Sequence, residues 1–193
     1  MPTNNATRDT AAKRISGPRR AAYLLIIGCC AVLFYFIAFR GMRFFRVPSA
    51  SMMPTLRPDD FILTLAKDNY MRGDIVVLTD PVGIGDYVVK RIVANAGDRV
   101  AIEGNALVLN GKYASEPYLP DAELTRGEMT AYAVPEGEVF VMGDNRNLSE
   151  DSRNWPRKSV PTDEIVGKVR LIYLPLSRFG PVRSYPLVNA AGE

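Results

Sequence analysis

The feature that most constrains this chain is an uninterrupted apolar run near its start. From Ala21 to Phe39 there is no charged residue. As a helix rising about 1.5 Å per residue, that run covers roughly 28 Å, close to the ~30 Å hydrocarbon core of a bilayer. A cleaved secretory signal has an apolar stretch of only about 7–15 residues followed by a small-x-small cleavage site. Here the stretch is longer, and Ile37-Ala38-Phe39-Arg40 is a poor cleavage site, so the run reads as an uncleaved anchor. Residues 1–20 carry Arg8, Lys13, Arg14, Arg19 and Arg20 against a single Asp9, more positive charge than the Arg40, Arg43 and Arg46 that follow the run. The excess of Arg and Lys before the span places the N-terminus in the cytoplasm and the remainder outside. The expected organisation is a disordered basic arm over 1–20, a single-pass anchor over 21–39 in the cell (inner) membrane, and an extracytoplasmic domain over 40–193.

Composition narrows the chemistry. The chain has 193 residues, 47% hydrophobic and 23% charged, enough for one packed domain beyond the anchor. A formal charge of +3 gives no argument for nucleic acid as a partner. There is no histidine, which removes Ser-His-Asp and Cys-His catalysis and the usual histidine-based catalytic zinc sites. A hydrolase built from this chain needs a carboxylate, a lysine or a terminal amine as its base. Cys29 and Cys30 lie adjacent within the apolar run and read as lipid-facing or packed residues. No metal-ligand cluster and no cofactor motif is visible.

From Val47 onward the texture is short strands separated by Pro and Gly. Phe61–Leu65, Asp74–Leu78, Tyr87–Val93, Ala106–Leu109, Val139–Met142 and Val166–Leu174 are rich in β-branched and aromatic residues. Asn110-Gly111 is a two-residue hairpin signal. Residues 120–130 are more polar and read as a loop or short helix. The fold class is mostly β, one β-rich domain behind a single N-terminal transmembrane helix.

Three stretches carry chemistry together: Pro48-Ser49-Ala50-Ser51-Met52-Met53-Pro54-Thr55-Leu56, Asp86-Tyr87-Val88-Val89-Lys90-Arg91-Ile92-Val93, and Gly143-Asp144-Asn145-Arg146-Asn147-Leu148-Ser149-Glu150-Asp151-Ser152-Arg153. Singly, they read as a proline-flanked loop, a strand with one wetted lysine, and a charged turn. Together they supply a serine in a constrained loop and a lysine embedded among Val88, Val89, Ile92 and Val93. Burial disfavours the charged ammonium, lowers the lysine pKa and makes a neutral general base. That is the base a histidine-free serine hydrolase requires.

These stretches, in this order and behind an anchor, resemble the signature boxes of type I signal peptidases, the Ser-Lys serine proteases of family S26; the likeness covers about residues 21–175. The resemblance implies Ser51 as nucleophile, Lys90 as general base, and Ser49 with the Ser51 backbone N–H as oxyanion hole. It further implies Ser149 as the residue orienting the lysine, with Asp151 and Arg153 as a buttressing pair. Val47, Pro48, Met52, Leu56, Ile62, Val88 and Val89 match walls of shallow apolar pockets for small substrate side chains. Two departures stand out: Ala94-Asn95-Ala96 precedes Gly97-Asp98 where the family has Gly-x-Pro-Gly-Asp, and Asn147 stands where aspartate is common. The implied function is removal of signal peptides from exported preproteins at a phospholipid membrane, without cofactor. Two other readings stay open on sequence alone: a peptidase dedicated to a conjugative pilus precursor, and a catalytically silent, membrane-tethered binding domain.

Overall fold

The computed structural model describes residues 17–39, 41–66, 69–83, 85–120, 125 and 127–187. The predicted basic arm lies outside the described residues up to position 16. The described chain forms two compact units, divided after Phe39.

The first unit is one helix, α1 (Gly17–Phe39). It starts at Gly17 rather than Ala21, so Arg19 and Arg20 belong to the helix and not to an unstructured arm. Pro18 suits a first turn, where its missing N–H would have no partner anyway, and arginine is a good helix former. The 22 residues from Gly17 to Ala38 are long and apolar enough to cross a membrane. Leu24, Leu25, Ile26 and Phe34 are all exposed, as a lipid-facing surface requires.

The second unit is built from antiparallel strands. In chain order these are β1 (Arg43–Arg46), β2 (Phe61–Leu65), β3 (Ile75–Thr79), β4 (Tyr87–Asn95), β5 (Arg99–Glu103), β6 (Ala106–Leu109), β7 (Lys112–Tyr113), β8 (Met129–Ala133), β9 (Glu138–Met142), β10 (Val160–Pro161), β11 (Ile165–Leu174) and β12 (Gly180–Pro181). The larger sheet runs β1-β2-β11-β3-β4-β9-β10, with β12 pairing β11; the smaller runs β7-β6-β5-β8. Each expected strand is present. Three others of four or five residues, β1, β5 and β8, have charged ends or half-exposed faces that dilute the apolar signal. Of the polar stretch 120–130, residues 129 and 130 open β8, and positions 121–124 and 126 lie outside the described residues. Asn110 and Gly111 connect β6 to β7 with φ of 53° and 78°, the left-handed geometry a two-residue hairpin turn needs.

Strands β3 and β4 are central, and their sequences show it. Ile75 to Leu78 are all buried, as are Val89 to Ala94, because apolar layers cover both faces. Adjacent residues on a strand point to opposite faces. Val88 therefore packs with the cluster of Val76, Leu78 and Ile92, while Val89 packs with Val47, Met52, Ile62 and Val77. The same alternation sends the neighbouring cations of β4, Lys90 and Arg91, in opposite directions. One further detail positions the site. Strand β3 pairs β4 from Tyr87 to Arg91, but on the other side β9 pairs it only from Arg91 onward. Among the described residues, Tyr87 to Lys90 thus present a free strand edge.

Candidate active site

The serine loop hangs between two core anchors. Val47 and Met52 are buried in one apolar cluster, and the intervening Pro48 to Ser51 are left at the surface. Val47 is fixed further by Val47 N–H to Asp60 O at 2.8 Å and Asp59 N–H to Val47 O at 2.9 Å. Ser49 Oγ donates to Ser51 Oγ at 3.2 Å. The third signature stretch grips the loop from outside: Asn145 N–H donates to Ser51 O at 3.0 Å and Asn145 Nδ2 to Ala50 O at 3.2 Å. Thr55 Oγ1 donates to Asp144 Oδ2 at 2.6 Å.

Lys90 is 4% exposed, and its Nζ donates to Ser149 Oγ at 3.0 Å. Burial is the largest influence on its pKa and lowers it. The Asp151 carboxylate opposes that, Arg153 reinforces it, and the net result lies below the ordinary lysine value. Ser149 also hydrogen-bonds to Asp151. The Asp151 carboxylate accepts from Arg153 Nε and Nη2, both at 2.8 Å, and from the Gly143 N–H at 3.0 Å. Burial pushes Asp151 up, but the Arg153 hydrogen bonds and charge outweigh it and leave the carboxyl below its usual value. A chain of contacts, Lys90–Ser149–Asp151–Arg153, thus ends in a charge pair while the amine itself touches a neutral hydroxyl. Gly143 permits this packing: a Cβ there would overlap Ser149 Oγ and Ser51 O.

Ser51 and Lys90 line one cavity of about 240 Å³. Of the other predicted residues, Val47, Pro48, Ser49, Met52, Val88 and Val89 also line it. Leu56 and Ile62 do not. They are fully buried in the core cluster that holds Val47 and Met52, so they support the wall without forming it, a correction to the sequence reading.

A family model described as signal peptidase, peptidase S26, matches residues 20–174. The chain belongs to this family. It is 34% identical over 156 residues to the probable signal peptidase I-1 of Synechocystis sp., covering 75% of this chain and 77% of that protein. Signal peptidase I T of Bacillus subtilis is 36% identical over 144 residues, covering 68% of this chain and 73% of the relative. A crystal structure of signal peptidase I from Enterococcus faecalis aligns with 53% of this chain and 98% of its own length at 28% identity and a TM-score of 0.46. The chain is a serine endopeptidase of the signal peptidase type, and with α1 it is a membrane-anchored one. These relatives give no support to a pilus-dedicated peptidase or a silent binding domain.

The S26 signature also holds residues that the sequence reading passed over. Arg91, fully buried, makes a two-pronged ion pair with Asp144, Nε to Oδ1 at 2.8 Å and Nη2 to Oδ2 at 2.7 Å. Its guanidinium carbon lies 3.9 Å from the centre of the Tyr118 ring. Because Asp144 also takes the Thr55 hydroxyl, this pair ties β4 to the serine loop. Asp80, Val82, Tyr87, Leu148, Glu150 and Trp155 complete the cavity wall. Tyr87 was within reach of sequence reasoning, since it directly precedes Val88 and Val89. Trp155 was not, because only the turns after Arg153 bring it back to the cavity.

Proposed function

We propose that this membrane-anchored peptidase removes N-terminal signal peptides from exported preproteins by acyl transfer, with Ser51 as nucleophile and Lys90 as general base. The observation that carries this reading is an amine 4% exposed, bonded to a hydroxyl and opening on the same cavity as Ser51. Neutral Lys90 takes the Ser51 proton as Oγ attacks the scissile carbonyl. The resulting ammonium gives that proton to the leaving amine, and the freed base then activates the water that releases the acyl group. Ser49, whose hydroxyl is 3.2 Å from Ser51 Oγ, serves as one oxyanion donor. The Ser51 N–H, which has no acceptor among the described residues, serves as the second. Removing one such donor costs about 10²–10³ in kcat in other hydrolases.

Four consecutive β4 residues, Tyr87 to Lys90, line the cavity. A strand that bordered it by one face would offer alternate residues only, so β4 borders it by its free edge. An extended peptide completes that edge by backbone hydrogen bonds. Its alternate side chains turn toward the apolar wall of Val47, Met52 and Val89, where a volume of about 240 Å³ suits small residues at the first and third positions before the cut.

The orientation follows from the basic start of the chain: N-terminus cytoplasmic, catalytic unit outside, at the membrane where signal segments are embedded. The deciding experiment is cleavage of a precursor with an Ala-x-Ala site in vesicles. Wild type is expected to process it, and Ser51→Ala and Lys90→Ala to leave it intact while keeping the β-rich circular dichroism spectrum. Processing by either variant at the wild-type rate would remove that residue's role.

A further inference from the structure

The chain contains one tryptophan, and its setting is unlike that of the other aromatic residues. Trp155 is 5% exposed and packs in the cluster with Val76, Leu78, Ile92 and Val141. Its backbone is held by a hydrogen bond from Trp155 N–H to Asp151 O at 3.0 Å, and the packing of the buried ring limits its rotation. A buried indole N–H ordinarily finds an acceptor. The Trp155 indole has none among the described residues. Its nitrogen is nevertheless not sealed off, since Asn95 Oδ1 is the sole fully buried, unpartnered side-chain polar atom there. The small exposed part of Trp155 therefore includes the nitrogen, and Trp155 is part of the wall of the catalytic cavity.

We propose that Trp155 is a substrate-binding residue whose indole N–H donates to a carbonyl oxygen of the peptide lying in the cavity. The proposal rests on the reading of that cavity as the signal-peptide site. A peptide paired with the β4 edge directs alternate carbonyls away from β4, and each needs a donor once water is displaced. A donor fixed by core packing meets one of them without the ordering cost of a flexible side chain. Nothing in the proposed proton transfers uses Trp155, so its loss acts on binding and leaves the base untouched.

A single tryptophan permits a clean test, because an analogue supplied in place of tryptophan enters at position 155 alone. Full-length protein in detergent is prepared with tryptophan and with β-(3-benzothienyl)alanine, which keeps the bicyclic shape and lacks the N–H. Binding of a labelled Ala-x-Ala signal segment is measured by anisotropy in the Ser51→Ala background, and cleavage in the Ser51 background. The expected result is binding about tenfold weaker in the analogue protein, the loss of roughly one hydrogen bond. The melting temperature and the pH midpoint of kcat/KM should be unchanged. Trp155→Phe should weaken binding similarly. Equal affinity of tryptophan and analogue proteins would overturn the proposal. So would a shifted pH midpoint, which would place Trp155 in the environment of the base instead. Failure of the tryptophan protein itself to cleave the precursor would overturn the underlying reading of the cavity, a result distinct from the first.

Discussion

Two buried lysines lie in neighbouring regions of the same sheet and meet different fates. Lys168 of β11 is 7% exposed and forms an ion pair with Asp74 of the β2–β3 connection. Burial pushes the Asp74 carboxyl up, but the Lys168 hydrogen bond, the Met71 N–H and further contacts hold it below its usual value. Lys90 of β4 is 4% exposed, and among the described residues its amine hydrogen-bonds to the Ser149 hydroxyl alone. Burial alone does not make a base. Lys168 sits against a carboxylate and completes an ion pair with it. Lys90 sits against a hydroxyl, with the Asp151 carboxylate engaged by Arg153, and burial leaves its pKa below the ordinary lysine value. The partner residue, not the depth, separates the two regions.

The comparison breaks most visibly in activity. Lys90→Ala is expected to lower kcat/KM by at least about 10³-fold, within the range general-base catalysis supplies, in a precursor-cleavage assay. Lys168→Met should leave kcat/KM per folded molecule near wild type and instead remove the cation that compensates the buried Asp74 charge. The expected cost is about 3–5 kcal/mol, read as a melting temperature lower by roughly 10 °C in a unit of this size. Equal stability loss in Lys90→Met and Lys168→Met would erase the distinction.

A smaller effect sharpens it. The folded pKa of Lys90 lies below its unfolded value, so between the two the unfolded state binds more protons and stability rises with pH. Lys90→Met should flatten that slope in denaturant titrations on the alkaline side of neutrality, with no loss of stability near pH 7. The smallest effect concerns the acid limb of activity, which is expected to rise with pH if the proposed base Lys90 must lose its proton. Glu150, exposed on the cavity wall, raises the Lys90 pKa through its charge. Glu150→Gln should move that limb to slightly lower pH in kcat/KM profiles and leave its plateau height unchanged; a shift to higher pH would contradict the assigned sign.

Much of this was legible in the sequence because local signals agreed with the fold. A charge-free run became all of α1 beyond its first turn, β-branched runs became strands, and Asn110-Gly111 made its hairpin. Lys90 stood out because a lysine inside Val-Val-x-x-Ile-Val has no apolar reason to be there. What stayed hidden depends on tertiary placement. Leu56 and Ile62 have the composition of pocket walls, but composition does not say which side of the core cluster a residue occupies. Arg91 was passed over beside Lys90, and strand alternation sends it to Asp144, out of the cavity. The Arg43-Phe44-Phe45-Arg46 segment is too short and too charged at its ends to announce a strand. In the fold it is the edge strand β1, with Phe45 packed on the core and edge-to-face with Tyr87 at 5.3 Å. Trp155 and Asn145 gain their positions from turns whose course no periodicity announces.

The protonation state of Lys90 is measured most directly by carbon-13 NMR of full-length protein in detergent carrying ε-labelled lysine, titrated with pH and compared with Lys90→Arg. One resonance, missing in the variant, should titrate well below the ordinary lysine value of about 10.4 and track the acid limb of cleavage. A spectrum in which every lysine titrates at or above that value would contradict a neutral amine at Lys90, and with it the base proposed for this site.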